Sequence, residues 1–316
     1  MSEQLTIRQA SAAWLDHIQT RRRRPVKASS AATFKSYISK WVEPYLGSLG
    51  VEQVNVAVLR DFIRQLDEAG LSAKSQVEIS SAVKSIIASV VDEEGEPLYT
   101  RRWDNERLDL PEVIRSEQHT PIVTRKQIEE VIEKSSESYQ CLYAILAGAG
   151  LRIGEALCMR LQKDDTGTST VFDAASAVVR VRKSLWRTTE GTPKTPASIR
   201  DVCLPRELAD FLVKRFERRE GYAFGNGRAP CVSTMRAHLD QAIRGAGVGF
   251  HAFRRFFVSH RRAMGMSEEL LKAQVGHATS DITSRYSRFG TGAEYDAQRR
   301  AEVERCGLGF ALPETK

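Results

Sequence analysis

The chain has 316 residues, 41 % hydrophobic and 28 % charged, with a formal net charge of +7. That length suits about two domains of roughly 150 residues, and the mixture argues against a disordered, fibrous or disulfide-scaffold protein. No 18-residue apolar run is present and the opening MSEQLTIRQA lacks an apolar signal core, so a cytoplasmic protein without a membrane span is expected.

In chain order, Thr6 and Gln9 form a capping box that opens a helix with Trp14 and Ile18 on its apolar face. Arg21 to Arg24 make a four-arginine run before Pro25. The spacing of Phe34, Tyr37, Trp41 and Tyr45 predicts a second helix, ended by Gly47 and Gly50. A third helix follows Asn55, carries Leu59, Phe62, Ile63 and Leu66, and stops at Gly70; a fourth follows Ser72, with Val83, Ile86, Ile87 and Val90. These helices predict a small N-terminal bundle over residues 1–96. Residues 97–122 hold Pro97, Pro111 and Pro121 without periodicity and are expected to be a linker.

A second domain, 123–316, opens on the capping box Thr124 and Gln127. A small-residue and apolar helix from Tyr139 to Ala149 runs into GAGLRIGEAL. Alternation over residues 177–182 and again from Ile199 to Leu204 predicts two strands around a turn with Gly191 and Pro193. Helices are expected at 205–220, 233–245, 252–264, 267–275, 280–289 and 292–305. The fold class is therefore mainly α with a small antiparallel sheet. Residues 1–110 balance at 15 basic and 15 acidic side chains, so the excess of seven lies in residues 111–316, a hint of a polyanionic partner for that part. Five scattered cysteines without a C-x-x-C pair suit a reducing compartment and argue against a zinc ribbon.

Four patches carry chemistry, each ambiguous alone. Arg152 stands at a glycine-flanked helix start, where it suits an anion or merely pairs with Glu155. Lys194 sits in a hairpin turn, where most lysines are only solvated. His251 and Arg254, three apart, share one helical face and offer a proton-transfer group beside a phosphate fork, or a half-buried histidine beside a solvated arginine. His277 follows Gly276, with Tyr286 nine residues on; most such tyrosines are ordinary aromatics.

Taken jointly and in order, GLRIGEAL, PKTPASIRDVCLP, HAFRRFF and VGHATSDITSRY resemble the tyrosine recombinase (phage integrase, Xer-like) family over nearly the whole chain. The one departure is Arg255, where many members have a second histidine. The resemblance implies an N-terminal helical, SAM-like core-binding domain and a C-terminal mixed α/β catalytic domain ending in a tail at 292–316. It implies six catalytic residues. Arg152 and Arg254 neutralise the nonbridging oxygens of a phosphodiester. Tyr286 attacks phosphorus, forming a 3′-phosphotyrosyl link and expelling the 5′-hydroxyl. His251 is the candidate base for the phenol, Lys194 protonates the leaving oxygen, and His277 binds a nonbridging oxygen and helps orient Tyr286. Glu155 supports the Arg152 loop. Neither metal nor nucleotide cofactor is expected, and no G-x-x-x-x-G-K-[ST] or H-E-x-x-H motif occurs.

The implied partners are double-stranded DNA with short inverted core sites, three further copies in a synaptic homotetramer, and an accessory bending or excision protein in some systems. The first domain's helices would enter the major groove, placing Lys35 and Lys74 at DNA and Arg22 and Arg23 near phosphates. The apolar tail residues Leu308, Phe310 and Leu312 are expected to dock on a neighbouring protomer; packing on their own domain is the alternative. The short stretch before Thr6 is expected to leave no room for a separate arm-site-binding domain, which favours a simple-site or Xer-like system, or a short mobile-element integrase, over an integrase that bridges distant arm sites. A type IB topoisomerase-like relaxing enzyme and a non-catalytic DNA-binding regulator are the rival readings.

Overall fold

The structure, a computed structural model, describes residues 4–114, 121–162, 166–193, 195–217, 219–225, 227–244, 247–277 and 293–314. The chain divides into two units, residues 1–118 and 119–316. Among the described residues no helix is long and apolar enough to cross a membrane.

The first unit is helical. Helix α1 (Ile7–Thr20) opens on the expected capping box: Gln9 N donates to Thr6 Oγ1 at 3.3 Å, and Thr6 N donates to Gln9 Oε1 at 2.9 Å. The second helix is interrupted. Helix α2 (Ala28–Tyr37) widens into a π turn (Ile38–Val42) before the short α3 (Glu43–Leu46). Pro44 has no N–H to donate, and the ladder widens just ahead of it. The buried stripe is accordingly Ile38, Val42 and Leu46, while Tyr45, expected on the apolar face, is exposed. Helices α4 (Val56–Glu68) and α5 (Ala73–Ala88) start on the side chains of Asn55 and Ser72, which accept from Val58 N and Ser75 N. Leu59, Phe62, Ile63, Leu66, Val83, Ile86 and Ile87 close the core. Leu108 is fully buried in this same core, and Tyr99, Trp103 and Leu110 pack against it. Residues up to about 110 thus pack on the first unit's core, including part of the 97–122 stretch expected to be a linker.

In the second unit, α7 (Glu137–Ala149) is buried from Cys141 to Ala149. It is packed by α6 (Arg125–Glu133), α9 (Arg206–Phe216) and α11 (Phe250–Ala263). Between the short α8 (Ile153–Leu157) and α9 lie, among the described residues, five strands. β1 (Val171–Asp173), β2 (Val178–Val181) and β5 (Arg200–Cys203) form an antiparallel sheet with β2 central, in which Val179 faces Val202. β3 (Ser184–Trp186) and β4 (Thr189–Gly191) form a separate hairpin. The pairing of β2 with β5 matches the two expected strands; β1 and the hairpin were not anticipated. The hairpin turns at Arg187, which takes φ +54°, without the Asn-Gly or Asp-Gly pair that would announce such a turn. Helices α10 (Val232–Ala242) and α12 (Glu268–Val275) and a C-terminal helix (Ala293–Cys306) are the other helices among the unit's described residues. The helix expected at 280–289 lies outside the described residues.

The tail corrects an expectation. Leu308 and Phe310 are buried in the core of their own unit, and Ala311 N donates to Glu129 Oε1 at 2.9 Å. Gly307 and Gly309, at φ +59° and +79°, turn the chain back, and a Cβ at Gly309 would stand 2.6 Å from the His260 ring. The apolar tail is therefore satisfied within one chain.

Candidate active site

Helix α7 ends at Gly150, whose φ of +64° only glycine adopts without strain and where a Cβ would stand 2.5 Å from the Phe257 ring. This stop lets Leu151 return to the core and puts Arg152 at the start of α8. Glu155, one turn on, is buried and accepts from Arg152 N at 3.0 Å and from Arg152 Nη1 at 2.8 Å. Gly154 lets α8 lie against β3, since a Cβ there would be 2.6 Å from Leu185 O.

Helix α11 presents His251 in its first turn and Arg254 one turn later. Arg254 is 2 % exposed. Its guanidinium donates to Gly150 O, the C-cap carbonyl of α7, at 2.8 Å and to Val275 O, the last carbonyl of α12. Carbonyls orient this cation without neutralising it. Burial and then the charge of Arg152 pull its pKa down to about 9, so it stays protonated at neutral pH. Helix α12 closes on Gly276 at φ +65°, and His277 N caps it by donating to Lys272 O at 3.1 Å.

These three segments meet. Partial burial and then the charges of Arg254, Arg255, Arg152 and His277 hold His251 below the ordinary histidine value of 6.5. Partial burial and then Arg254, Arg152 and Arg200 do the same to His277. Arg152, His251, Arg254 and His277 are therefore brought together, with two neutral imidazoles among cations at neutral pH. Burial alone would raise the Glu155 carboxyl, but Arg200 and Arg152 outweigh it and keep it ionised. With Arg200 included, three guanidiniums share one carboxylate, and the site carries an excess of positive charge. A buried uncompensated cation is costly; such a cluster is complementary to an anion with several oxygens.

Lys194 and Tyr286 lie outside the described residues. The hairpin that leads to Lys194 is described up to Pro193. After Lys194, Thr195 Oγ1 lies 3.0 Å from Ser198 Oγ, which accepts from Arg152 Nη1 at 3.2 Å. Arg22, Arg23, Lys35 and Lys74 are all exposed on the first unit, and Lys74 Nζ lies 3.9 Å from Glu78 Oε1.

Arg200 is the residue that motif reading missed. It begins β5 with its side chain buried and bound to both Glu155 oxygens. The available signal was phase: Arg200 alternates with the core residue Val202, so it points inward and needs a buried carboxylate.

No profile of a known protein family matches the chain. A curated relative, described as a tyrosine recombinase XerC-like protein of Caldanaerobacter subterraneus subsp. tengcongensis, is 21 % identical, covering 86 % of this chain and 76 % of the relative. Among solved structures, the Tn1549 transposon integrase bound to transposon right-end DNA superposes with a TM-score of 0.63 at 21 % identity, over 95 % of this chain and 99 % of the other. A lambda integrase dimer bound to a COC′ core site gives 0.58 at 14 % identity, over 96 % and 99 %. The structural likenesses show a shared fold.

Proposed function

We propose that this chain, a tyrosine recombinase by motif and by fold, is a site-specific DNA recombinase that cleaves and rejoins strands through a 3′-phosphotyrosyl intermediate. The observation that carries the reading is Arg254: a buried guanidinium held by two carbonyls, beside Arg152 and two neutral histidines. That arrangement suits a phosphodiester, whose anionic oxygens repel nucleophiles until they are neutralised.

In this reading Arg152 and Arg254 bind the nonbridging oxygens and stabilise the charge that builds on them. Tyr286 Oη forms the new bond to phosphorus as the bond to the 5′-oxygen breaks. The phenolic proton passes to His251, and Lys194 Nζ supplies the proton that leaves with the 5′-hydroxyl. His277 donates to a nonbridging oxygen. The phosphotyrosyl link conserves the energy of the broken bond, so the 5′-hydroxyl of a partner strand reverses the step without a nucleotide cofactor.

The solved relatives named above are bound to DNA, which supports DNA as the partner. Short inverted core sites, a synaptic tetramer and an accessory bending factor are the finer parts of the proposal. On the first unit, Lys35 and Lys74 would lie toward the groove and Arg22 and Arg23 toward phosphates.

The test is recombination between two marked copies of a core site, obtained by selecting duplexes that the full chain binds from a random library. Exchange of flanks is the expected result. Relaxation of supercoils without regard to the selected site would support a topoisomerase-like activity. Binding without any cleavage would leave a regulator of the same fold.

A further inference from the structure

The geometry points to Arg200 as a positioning residue that keeps the Arg152 charge available to the scissile phosphate, an inference that rests on the recombinase reading of the site. Glu155 is buried between two arginines. Arg200 takes both of its oxygens, Nη1 to Oε1 at 3.2 Å and Nη2 to Oε2 at 2.9 Å. Arg152 reaches only Oε1 with its side chain, and among the described residues only its Nη1 is engaged. Among the described residues the other nitrogens of that guanidinium have no hydrogen-bond partner, and the side chain is 27 % exposed.

The charges explain why this matters. A buried carboxylate facing Arg152 alone would draw it into a two-oxygen fork, the preferred arginine–carboxylate geometry. Its charge would then be cancelled before any phosphate arrived. Arg200 supplies the compensating cation, so Glu155 can hold the Arg152 loop without consuming Arg152. Arg200 also joins the other segments of the site. Its Nε donates to Gln274 O at 2.7 Å, two residues before Gly276, and its Nη1 donates to Ser198 O at 2.9 Å, four residues after Lys194. The contact is close: a Cβ on Gly276 would stand 2.9 Å from Ala197 O and 3.1 Å from Arg200 Cδ.

Single-turnover cleavage of a nicked core-site duplex by the full chain tests this. Arg200→Met is expected to slow cleavage at least about tenfold, as loss of a preorganised electrostatic group does. Arg200→Met combined with Glu155→Gln is expected to cleave faster than Arg200→Met alone, because the orphaned carboxylate is gone. A double variant no faster than the single one overturns the inference. A second measurement compares an ordinary scissile phosphate with a methylphosphonate, which carries no negative charge. The ratio of the two rates within one preparation is independent of the folded fraction, and the neutral Arg200→Gln replaces Arg200→Met if the latter does not fold. The deficit relative to wild type should shrink on the methylphosphonate; an equal deficit on both substrates means a purely structural role. If the wild-type chain forms no covalent adduct, the recombinase reading falls and this inference with it. An adduct from wild type with equal deficits overturns the inference alone.

Discussion

At the scale of single residues, the site is organised by where charge is cancelled and where it is left. Arg254 is held by carbonyls, so removing it should abolish transition-state stabilisation while leaving the remaining DNA contacts in place. Arg254→Ala is expected to lower the cleavage rate by about a hundredfold or more, with DNA affinity changed far less; gel-shift and single-turnover assays on one preparation separate the two. His251 gives a pH prediction with a definite sign. The base must be neutral, and partial burial and neighbouring cations hold its pKa below 6.5. The rate should therefore rise with pH along an acidic limb whose midpoint, read from kcat/KM, lies below 6.5, since kcat/KM reports groups of the free enzyme. A midpoint above 7 would remove His251 from the role. Gly150→Ala should cost about 1 kcal/mol or more in stability, from the positive φ and the approach of Phe257, measurable by denaturant unfolding.

At the scale of elements, what the sequence disclosed follows from how local the cause is. The caps at Thr6, Asn55, Ser72 and Thr124 are local hydrogen bonds between near neighbours, and all four helix starts were legible. The β3–β4 hairpin was not, because its short strands do not alternate and its turn uses Arg187 in a conformation that sequence does not advertise. The π turn before Pro44 shifted a buried stripe that simple helical periodicity places elsewhere. Four catalytic candidates were legible as motifs and converge in space; Arg200 was hidden because its partner Glu155 is 45 residues away. The tail shows the same limit: its apolar residues announce burial but not against what. Since Leu308 packs within its own unit, Leu308→Ala should destabilise the folded monomer by about 2–5 kcal/mol. A protein unchanged in stability but impaired in self-association would restore the intermolecular docking expected from the sequence.

At the scale of the whole molecule, the surplus of positive charge acquires a location. The first unit's sequence is close to charge balance through residue 110, whereas residues 111–316 carry the excess together with Arg152, Arg200 and Arg254. Affinity for DNA should accordingly fall steeply with salt, with the logarithm of the binding constant linear in the logarithm of salt concentration. Titrations at several salt concentrations check this, and a flat response would contradict phosphate-dominated binding. In the proposed reaction the cationic cluster serves a tyrosine nucleophile that becomes covalently joined to DNA. The most direct measurement is a nicked suicide duplex incubated with the full chain, denatured and digested, with the DNA-bearing peptide identified by mass spectrometry. The expected result is a 3′-phosphotyrosyl bond at Tyr286, lost in Tyr286→Phe. An adduct on another residue, or one that survives in Tyr286→Phe, would contradict it.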